Sequence, residues 1–474
     1  MNITEPLRRA AIVAPDAVAI IRADGTPLTY AALERLIDRM AQRVAGLGLR
    51  PGDVVGLAIT GPDESLGLIL AFALARLGIA SADPSLPAAR MRWCFKLGAA
   101  AAPGIVGFDA SWLAAPAAAQ AVAIHPDPAA TLRIFASSGT TGVPKHAAVS
   151  HELMTRRVLS GLLALEGGPA TRIVAVNLGI TLGLSAVLRT LWLGGTLVLS
   201  NPAEALAAIE AHGVTSLLVS PVALRAVLQA MSPLAPPPPT LRTVEVSGSK
   251  LPAPLYQQAA ARLCRNILSW LGATETSGIA AGPMAALAAR PGAVGYVLAG
   301  VEVQAVDAAN APLPAGQEGV LRVRGANNVV GYVGEAGAES FRDGWFYPGD
   351  IGTVWPDGML SLAGRTHEVI NSGGVKLSPH VIEEALLTLP LVTDAAAFGV
   401  PDAAGIEQPW AAIVAAAPID NAVLTAFCQK VLPGRAPKVI LQMQALPRNA
   451  SGKVQRDLLV AYAVQVSRPR TPPG

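Results

Sequence analysis

Between residues 28 and 275, short apolar runs typical of strands alternate with amphipathic helical stretches, and this alternation limits the fold more than any other feature of the chain. The strand-like runs lie near residues 54–60, 172–177, 196–200, 215–220, 241–247 and 266–271. The helical stretches lie near residues 65–77, 185–193, 202–212 and 222–231. Apolar runs that alternate with helices are typical of parallel strands covered on both faces. We therefore predict an α/β protein with layered sheets and helices.

The pattern changes towards the C-terminus. Residues 295–364 are rich in strand-forming residues and turn signals, which predicts a β-rich, antiparallel part of the same large domain. After residue 365 a small α+β pattern follows, with helices near 380–387 and 422–431 and strands near 395–400 and 411–416. We expect an N-terminal domain at 1–364 and a small, mobile C-terminal domain at 365–474.

Composition argues against several other classes of protein. Hydrophobic residues make up 52% and charged residues 15%, as in a globular chain with a large core. The low-charge stretches end before about 18 residues, and the N-terminus lacks an export signal, so we expect a cytoplasmic protein without a membrane span. The three cysteines are far apart, which disfavours disulfides and zinc. A net charge of +3 without a basic stripe gives no indication of nucleic-acid binding.

The strongest local signal is the segment SSGTTGVPK at residues 137–145, which follows a strand-like run at 132–135. Two glycines and four hydroxyl residues before a lysine form a donor-rich loop that suits an oxygen-rich anion. The loop is not a Walker motif, because the GxxxxGK[ST] spacing is absent. By its spacing alone, the segment is equally compatible with a polar surface turn.

Four more segments follow this loop in a fixed order. They are WLGATETSG at 270–278, FYPGD at 346–350, GRTHEVINSGGVKLSPHVIEE at 364–384 and LPRNASGKVQR at 446–456. Together the five segments resemble the motifs of the adenylate-forming superfamily, which comprises acyl-CoA synthetases, peptide-synthetase adenylation domains and luciferases. The resemblance extends from about residue 15 to 460, and the chain looks most like an acyl-CoA synthetase.

This resemblance implies a two-step reaction with ATP, Mg²⁺ and coenzyme A. A carboxylic acid would first attack the α-phosphate of ATP, which forms an acyl-adenylate and releases pyrophosphate. The thiol of coenzyme A would then displace AMP. Both steps move charge on phosphate or carbonyl oxygens, so positioning and electrostatic stabilisation are expected to dominate catalysis.

The resemblance also implies which residues bind the phosphates and the metal. The phosphate-binding loop would consist of Ser138, Gly139, Thr140, Thr141, Gly142 and Lys145. Glu275 and Thr141 are the expected Mg²⁺ ligands and, with Lys453, the expected catalytic residues. Thr274 would contact a phosphate oxygen, since Mg²⁺ prefers one or two carboxylates together with phosphate oxygens.

Further positions are assigned to the nucleotide and the thiol. Asp350 would accept both ribose hydroxyls, and Arg365 would reach the ribose or a phosphate. The remaining residues expected to line the cofactor sites are Gly248, Ser249, Leu271 and Gly272 for the nucleotide, and Gly373 and Gly374 for pantetheine. The small domain is expected to turn between the two steps, so that Lys453 faces the nucleotide first.

Some positions depart from the pattern of the family. Leu271 replaces an aromatic residue that stacks on adenine, Ile180 a histidine before a Gly-Leu pair, and His367 the usual hinge residue. The residues expected near the acyl group are small or apolar: Leu184, Val246, Gly248, Gly272, Ala273 and Ile279. They predict an uncharged aliphatic or aromatic acid as substrate.

Two other functions are compatible with the same sequence. One is an adenylation enzyme that loads the phosphopantetheine of a carrier protein, and the other is a nucleotide-binding homologue without turnover. A doubly wound dehydrogenase has little support, because no strand-linked GxGxxG is present. The sequence is compatible with either a monomer or a homodimer.

Overall fold

The structure is a computed structural model that describes residues 1–59, 64–98, 102–114, 121–137, 144–163, 170–334, 337–372, 375–402, 405–448 and 453–467. The α-helices of this part of the chain are α1 Glu5–Val13, α2 Tyr30–Ala45, α3 Glu64–Arg76, α4 His151–Leu163, α5 Thr181–Trp192, α6 Ala205–His212, α7 Pro221–Ala230, α8 Ala253–Arg262, α9 Met284–Leu287, α10 Pro379–Leu387, α11 Asn421–Val431 and α12 Arg456–Ser467.

The strands of the N-terminal half are β1 Val18–Ile21, β2 Pro27–Thr29, β3 Val54–Leu57, β4 Ala80–Ala82, β5 Trp93–Leu97, β6 Ile105–Phe108, β7 Thr131–Ser137, β8 Lys145–Ser150, β9 Thr171–Ala175, β10 Thr196–Val198, β11 Ser216–Val219 and β12 Thr243–Ser247. The later strands are β13 Ile267–Ala273, β14 Ser277–Pro283, β15 Ala293–Val297, β16 Val301–Val306, β17 Glu318–Gly325, β18 Phe341–Arg342, β19 Trp345–Phe346, β20 Asp350–Val354, β21 Met359–Arg365, β22 Ile370–Ser372, β23 Val375–Leu377, β24 Val392–Pro401, β25 Glu407–Ala415 and β26 Val439–Gln442.

A mostly parallel sheet and the parallel part of a second, longer sheet confirm the predicted α/β layering. One has the strand order β6-β5-β3-β4-β7-β8, and the other contains the parallel run β1-β10-β9-β11-β12-β13. The largest hydrophobic cluster joins strands of both sheets through α2, α3, α4 and α5. A second cluster covers the opposite face of the second sheet with α6, α7 and α8. This double coverage explains why the strands are apolar on both faces.

The predicted antiparallel part is present, but it is not a separate sheet. From β13 the second sheet continues in antiparallel pairing through β14, β15, β21, β20 and β17. The switch occurs at the tight turn between β13 and β14, where Ser277 has a φ of 63°. The antiparallel region therefore begins earlier than the predicted residue 295, because a hairpin turn needs only a few residues and leaves no long loop signal.

Residues 370–467 form a smaller unit, called the C-terminal unit below. Its sheet has the order β24-β25-β26, and its helices α10, α11 and α12 lie in the two hydrophobic clusters that contain this sheet. The helices and strands predicted in this segment are confirmed within a few residues of their expected bounds. None of the described helices is both long and apolar enough to cross a bilayer.

Candidate active site

A cleft of about 2600 Å³ brings residues of the long second sheet together with residues of the C-terminal unit. Ser247 and Gly248 reach it from the carboxyl end of β12, and Leu271 and Thr274 from the end of β13. Lys453 lines it from the segment before α12. The cleft thus lies beyond the carboxyl ends of parallel strands, where α/β proteins commonly bind their ligands.

Asp350 and Arg365 form a buried ion pair in this cleft. They are direct neighbours in the β20–β21 register, and Arg365 Nε lies 3.0 Å from Asp350 Oδ1. Burial raises the pKa of Asp350, although the positive charges of Arg365 and Lys453 oppose this shift. The negative charge of the Asp350 carboxylate is therefore only partly compensated by its neighbours. A carboxylate in this state is suited to accept hydrogen bonds from a ligand.

Lys453 of the C-terminal unit lies close enough to Asp350 and Arg365 for their charges to shift its pKa. Burial lowers the pKa of Lys453, and so does Arg365, whereas the carboxylates of Asp350 and Glu275 raise it. The structure therefore brings the ammonium group of Lys453 close to Asp350 and Glu275, which lie more than a hundred positions earlier in the chain. The arrangement is one in which a polyanionic ligand would be held between the two units.

Glu275 and Thr274 lie in the turn that joins β13 to β14. Glu275 is buried, and its Oε1 accepts a hydrogen bond of 2.6 Å from the hydroxyl of Tyr332. Arg157 Nη2 donates to the backbone oxygen of Glu275 at 3.1 Å, which fixes the turn. Oε2 accepts none of the hydrogen bonds seen among the described residues, so the carboxylate retains an oxygen that fits a Mg²⁺ ion.

Sequence reasoning missed Tyr332, which connects Glu275 to both flanks of the glycine-rich loop. Its hydroxyl also interacts with Ser137, and Lys145 Nζ lies 5.3 Å from the centre of its ring. Burial raises the pKa of Tyr332, and the charge of Glu275 adds to the effect, so the phenol stays protonated as a donor. Its signal in the sequence is only an aromatic residue within a stretch rich in Asn and Gly, too weak to have identified it.

The glycine-rich loop itself lies outside the described residues, as do Gly373 and Gly374. The undescribed loop residues are Ser138, Gly139, Thr140, Thr141 and Gly142. The chain enters and leaves this segment at adjacent positions, since Ser137 pairs with Lys145 across β7 and β8. Lys145 is half-buried and forms an ion pair of 3.5 Å with Glu339.

The other residues expected around the nucleotide line the cleft: Gly248, Ser249, Leu271 and Gly272. A side chain at Gly272 would come within 2.4 Å of the carbonyl oxygen of Ser277, so the β13–β14 hairpin itself requires glycine there. Leu271 packs partly against the antiparallel core. His367 and Ile180, which replace family residues, also line the cleft.

The prediction for the acyl wall was wrong at three positions. Leu184, Val246 and Ile279 are buried in three different hydrophobic clusters and do not line the cleft, unlike Gly248, Gly272 and Ala273. Along a strand, side chains alternate between faces, so the neighbours of Val246 face the cleft in its place. Those neighbours are Glu245 and Ser247, and on α5 the cleft is lined by Ser185 and Arg189 rather than Leu184.

Glu245 belongs to a buried cluster of three charges that the sequence did not reveal. Arg189 Nη2 lies 2.8 Å from Glu245 Oε2, and Arg172 Nη1 hydrogen-bonds to Oε1 of the same carboxylate. Burial alone would raise the pKa of Glu245, but the two guanidinium groups lower it to about 2. The cluster joins β9, α5 and β12, and these three elements are too far apart in sequence to form a local motif.

Comparison with known proteins identifies relatives along nearly the whole chain. Residues 7–102 and 102–333 match the family described as AMP-binding enzyme, and residues 381–453 match the AMP-binding enzyme C-terminal domain. A feruloyl-CoA synthase from Amycolatopsis is 31% identical, and the alignment covers 95% of this chain and 96% of that protein. The salicyl-AMP ligase / salicyl-S-ArCP synthetase of Mycobacterium tuberculosis is 30% identical over 94% of this chain and 88% of its own.

The fold also matches solved structures. The o-succinylbenzoate CoA synthetase of Bacillus subtilis, solved with an acyl-adenylate intermediate, superimposes with a TM-score of 0.85. The match covers 98% of each chain at 23% identity. At this level of identity the superposition establishes the shared fold, a large α/β unit followed by a small C-terminal one.

Proposed function

The chain belongs to the family of AMP-binding enzymes, and on this premise we propose that it is an AMP-forming carboxylic acid–CoA ligase. It activates an aliphatic or aromatic acid with ATP, transfers the acyl group to coenzyme A, and releases AMP and pyrophosphate. We also propose that the mobile domain begins at residue 365 and that the enzyme acts in the cytoplasm, where ATP and coenzyme A are available. Limited proteolysis would locate the domain boundary, and cell fractionation would test the location.

One observation supports this function above all others, namely that Lys453, Asp350 and Arg365 line one cleft, with the Glu275 carboxylate near enough to raise the pKa of Lys453. The first three groups offer a cation, a diol acceptor and a second cation, which together suit a nucleotide phosphate and its ribose. Glu275 adds a buried carboxylate whose Oε2 accepts none of the hydrogen bonds seen among the described residues. This combination fits a metal-bound nucleotide better than a purely apolar ligand.

In the first step, an oxygen of the substrate carboxylate attacks the α-phosphorus of ATP and pyrophosphate leaves. Negative charge builds on the α-phosphate oxygens, and the ammonium group of Lys453 stabilises it. Asp350 fixes the ribose through its two hydroxyls, and Arg365 orients Asp350 across the β20–β21 pair. Mg²⁺ bound to Glu275 would supply charge neutralisation for the phosphates. Tyr332 holds the Glu275 carboxylate in place through its 2.6 Å hydrogen bond.

In the second step, the thiol sulfur attacks the carbonyl carbon of the acyl-adenylate, the C–O bond to AMP breaks, and AMP leaves with that oxygen. We propose that Gly373 and Gly374, which lie between β22 and β23, let pantetheine pass close to the backbone. The C-terminal unit would turn to present them. Polar contacts between the units, such as Lys250 with Glu384 and Arg225 with Asp394, suit such a movement because water can replace them.

Loading of a carrier protein is a second candidate function. The similarity to a salicyl-AMP ligase / salicyl-S-ArCP synthetase favours it, since that name describes a protein-bound acceptor. The two candidates share the adenylation step and differ only in the thiol. Thioester formation with coenzyme A and with a phosphopantetheinylated carrier, assayed side by side, would separate them.

The proposed function is tested by ATP–pyrophosphate exchange with a panel of carboxylic acids. We expect exchange that depends on an acid and that is lost in Lys453→Ala. Lys438→Ala is the matched control, because Lys438 is an exposed lysine of the same unit that does not line the cleft. Silence with every acid, together with normal ATP binding, would support the binding protein without turnover and would contradict the ligase.

A further inference from the structure

We call the part of the cleft lined by Glu245 and Arg189 its acyl end. Its distance from the nucleotide end can be judged along strand β12. β12 carries Glu245 and ends at Ser247, Gly248 follows, and all three residues line the cleft. A strand rises about 3.3 Å per residue, so Glu245 lies roughly 7 Å from Ser247 at the carboxyl end of β12. Arg189 reaches the same depth from α5, one turn beyond Ser185 on the same helix face.

The cluster around Glu245 has an excess of positive charge. Two guanidinium groups, Arg172 and Arg189, share one carboxylate, and all three side chains are buried. Because the pKa of Glu245 is lowered to about 2, its carboxylate is fully ionised at neutral pH. One positive charge therefore has no partner within the cluster. A buried charge that is not compensated is costly, and an anion placed beside it recovers part of that cost.

Arg189, and not Arg172, is the member open to a ligand. Arg189 lines the cleft, whereas Arg172 does not. Nη2 of Arg189 is engaged with Glu245, and its Nε, like that of Arg172, is buried without a hydrogen-bond partner among the described residues. The difference lies at Nη1 of Arg189, which takes part in none of the described hydrogen bonds and faces Gly161. A Cβ atom at residue 161 would lie 3.7 Å from Nη1, an ordinary contact distance, so the glycine leaves at least that much space next to this nitrogen.

We infer that the acid substrate carries a second anionic group, a carboxylate or a sulfonate, which binds Arg189 at the far end of the acyl pocket. This inference rests on the proposed function and replaces the uncharged acid expected from the sequence. The distance of roughly 7 Å along β12 fits a compact aryl acid or a short diacid, with one acidic group at each end. Ser185 and Ser247 add polar hydroxyl groups to the wall of the cleft between its two ends.

The test compares matched acids that differ only at the far end. We suggest 3-phenylpropanoate, 3-(4-carboxyphenyl)propanoate and 3-(4-sulfophenyl)propanoate, with binding measured by calorimetry in the presence of AMP and turnover by pyrophosphate exchange. The wild type should bind one of the two acids with a second anionic group about 10- to 100-fold more tightly than 3-phenylpropanoate, which has none. This is the range expected for a charge-assisted hydrogen bond. Which acid binds more tightly distinguishes carboxylate from sulfonate.

Arg172→Gln is the matched control for Arg189→Gln, because both arginines bind Glu245 but only Arg189 lines the cleft. Arg189→Gln should abolish the preference for the acids with a second anionic group over 3-phenylpropanoate. Arg172→Gln should keep the preference even if it lowers the melting temperature. Arg189→Lys should restore part of the preference, since a positive charge returns without the planar donor pair.

The outcomes separate this inference from the proposed function. Equal or tighter binding of 3-phenylpropanoate by the wild type would overturn the inference, and this comparison does not need any variant to fold. Loss of the preference in both arginine variants would also overturn it, because that pattern indicates a purely structural cluster. Pyrophosphate exchange only with acids that lack a second anionic group would contradict the inference, but it would still support the proposed ligase function. Selective binding without any exchange would support the inference and contradict the ligase.

Discussion

The two ends of the cleft treat their carboxylates in opposite ways. At the nucleotide end, burial raises the pKa of Asp350 and lowers that of Lys453, so the fold disfavours the charged form of each group. At the acyl end, two arginines lower the pKa of Glu245 and favour its charged form, while burial lowers the pKa of Arg189. Asp350, Lys453 and Arg189 thus share the pattern typical of groups that await a ligand, whereas Glu245 has that of a group that stabilises the fold.

The origin of the charges differs as well. Those at the nucleotide end come from the large unit and from the C-terminal unit, which we propose to move relative to each other. Those at the acyl end come from β9, α5 and β12, which belong to one packed body. Removal of the charge of Lys453 or Asp350 should therefore cost activity, whereas removal of the charge of Glu245 should cost stability.

The largest effect is expected for Lys453→Ala. Pyrophosphate exchange should fall by about 10²- to 10³-fold or more, because the variant loses the cation that stabilises charge on the α-phosphate. The melting temperature should stay the same or rise, since the lowered pKa of Lys453 means that its protonated form costs stability below its unfolded-state pKa. Thioester formation from a preformed acyl-adenylate should be retained. A large drop in stability would contradict the division between the two ends.

Glu245→Gln should show the opposite behaviour. The lowered pKa of Glu245 stabilises the protein above about pH 4.5, and this contribution, about 3 kcal/mol, is lost as the pH falls towards 2. The variant should therefore unfold more easily at neutral pH, and its stability should depend less on pH in this window. Denaturant unfolding as a function of pH measures both. Glu384→Gln, which changes an exposed carboxylate, should leave the unfolding free energy within about 0.5 kcal/mol.

Asp350→Asn should raise the Michaelis constant for ATP by about 10- to 100-fold, because one charged acceptor for the ribose is lost. Its stability at neutral pH should not fall. The raised pKa of Asp350 means that ionisation costs folding free energy as the pH rises through that pKa. Asp357→Asn is the control, since Asp357 lies in an exposed turn away from the cleft. An unchanged Michaelis constant in Asp350→Asn would contradict a ribose contact.

Tyr332→Phe should have the smallest effect. It removes only the hydroxyl that donates to Glu275, so the Mg²⁺ concentration needed for half-maximal activity should rise by about three- to tenfold. The ring remains, and with it the contact to Lys145. Titration of activity with Mg²⁺ at saturating ATP provides the measurement. An unchanged Mg²⁺ requirement would mean that Tyr332 does not position the carboxylate.

The parts that could be predicted from the sequence are those encoded by contiguous residues. The segments 270–278 and 346–350 pointed to Glu275 and Asp350, and the alternation of strands and helices predicted the α/β body. Local patterns sufficed there because each motif carries its own turn and its own functional side chain.

The acyl end could not be predicted in this way. Arg172, Arg189 and Glu245 meet only after three separate elements have packed, and no spacing in the sequence connects them. Val246 was placed in the pocket by resemblance to the family, and it packs on the other face of the sheet because side chains alternate along β12. Tyr332 was missed because it lies in a loop, where the sequence has no helical or strand periodicity that would indicate which way a side chain points.

The central claim is that the acid reacts at the α-phosphate of ATP between the two units. It is tested most directly with substrate acid labelled with oxygen-18 in its carboxylate, followed by mass spectrometry of the released nucleotide after thioester formation. Attack on the α-phosphate predicts AMP that carries one labelled oxygen atom. Label in inorganic phosphate with ADP as product, or AMP without label, would contradict the acyl-adenylate and with it the role given to Lys453.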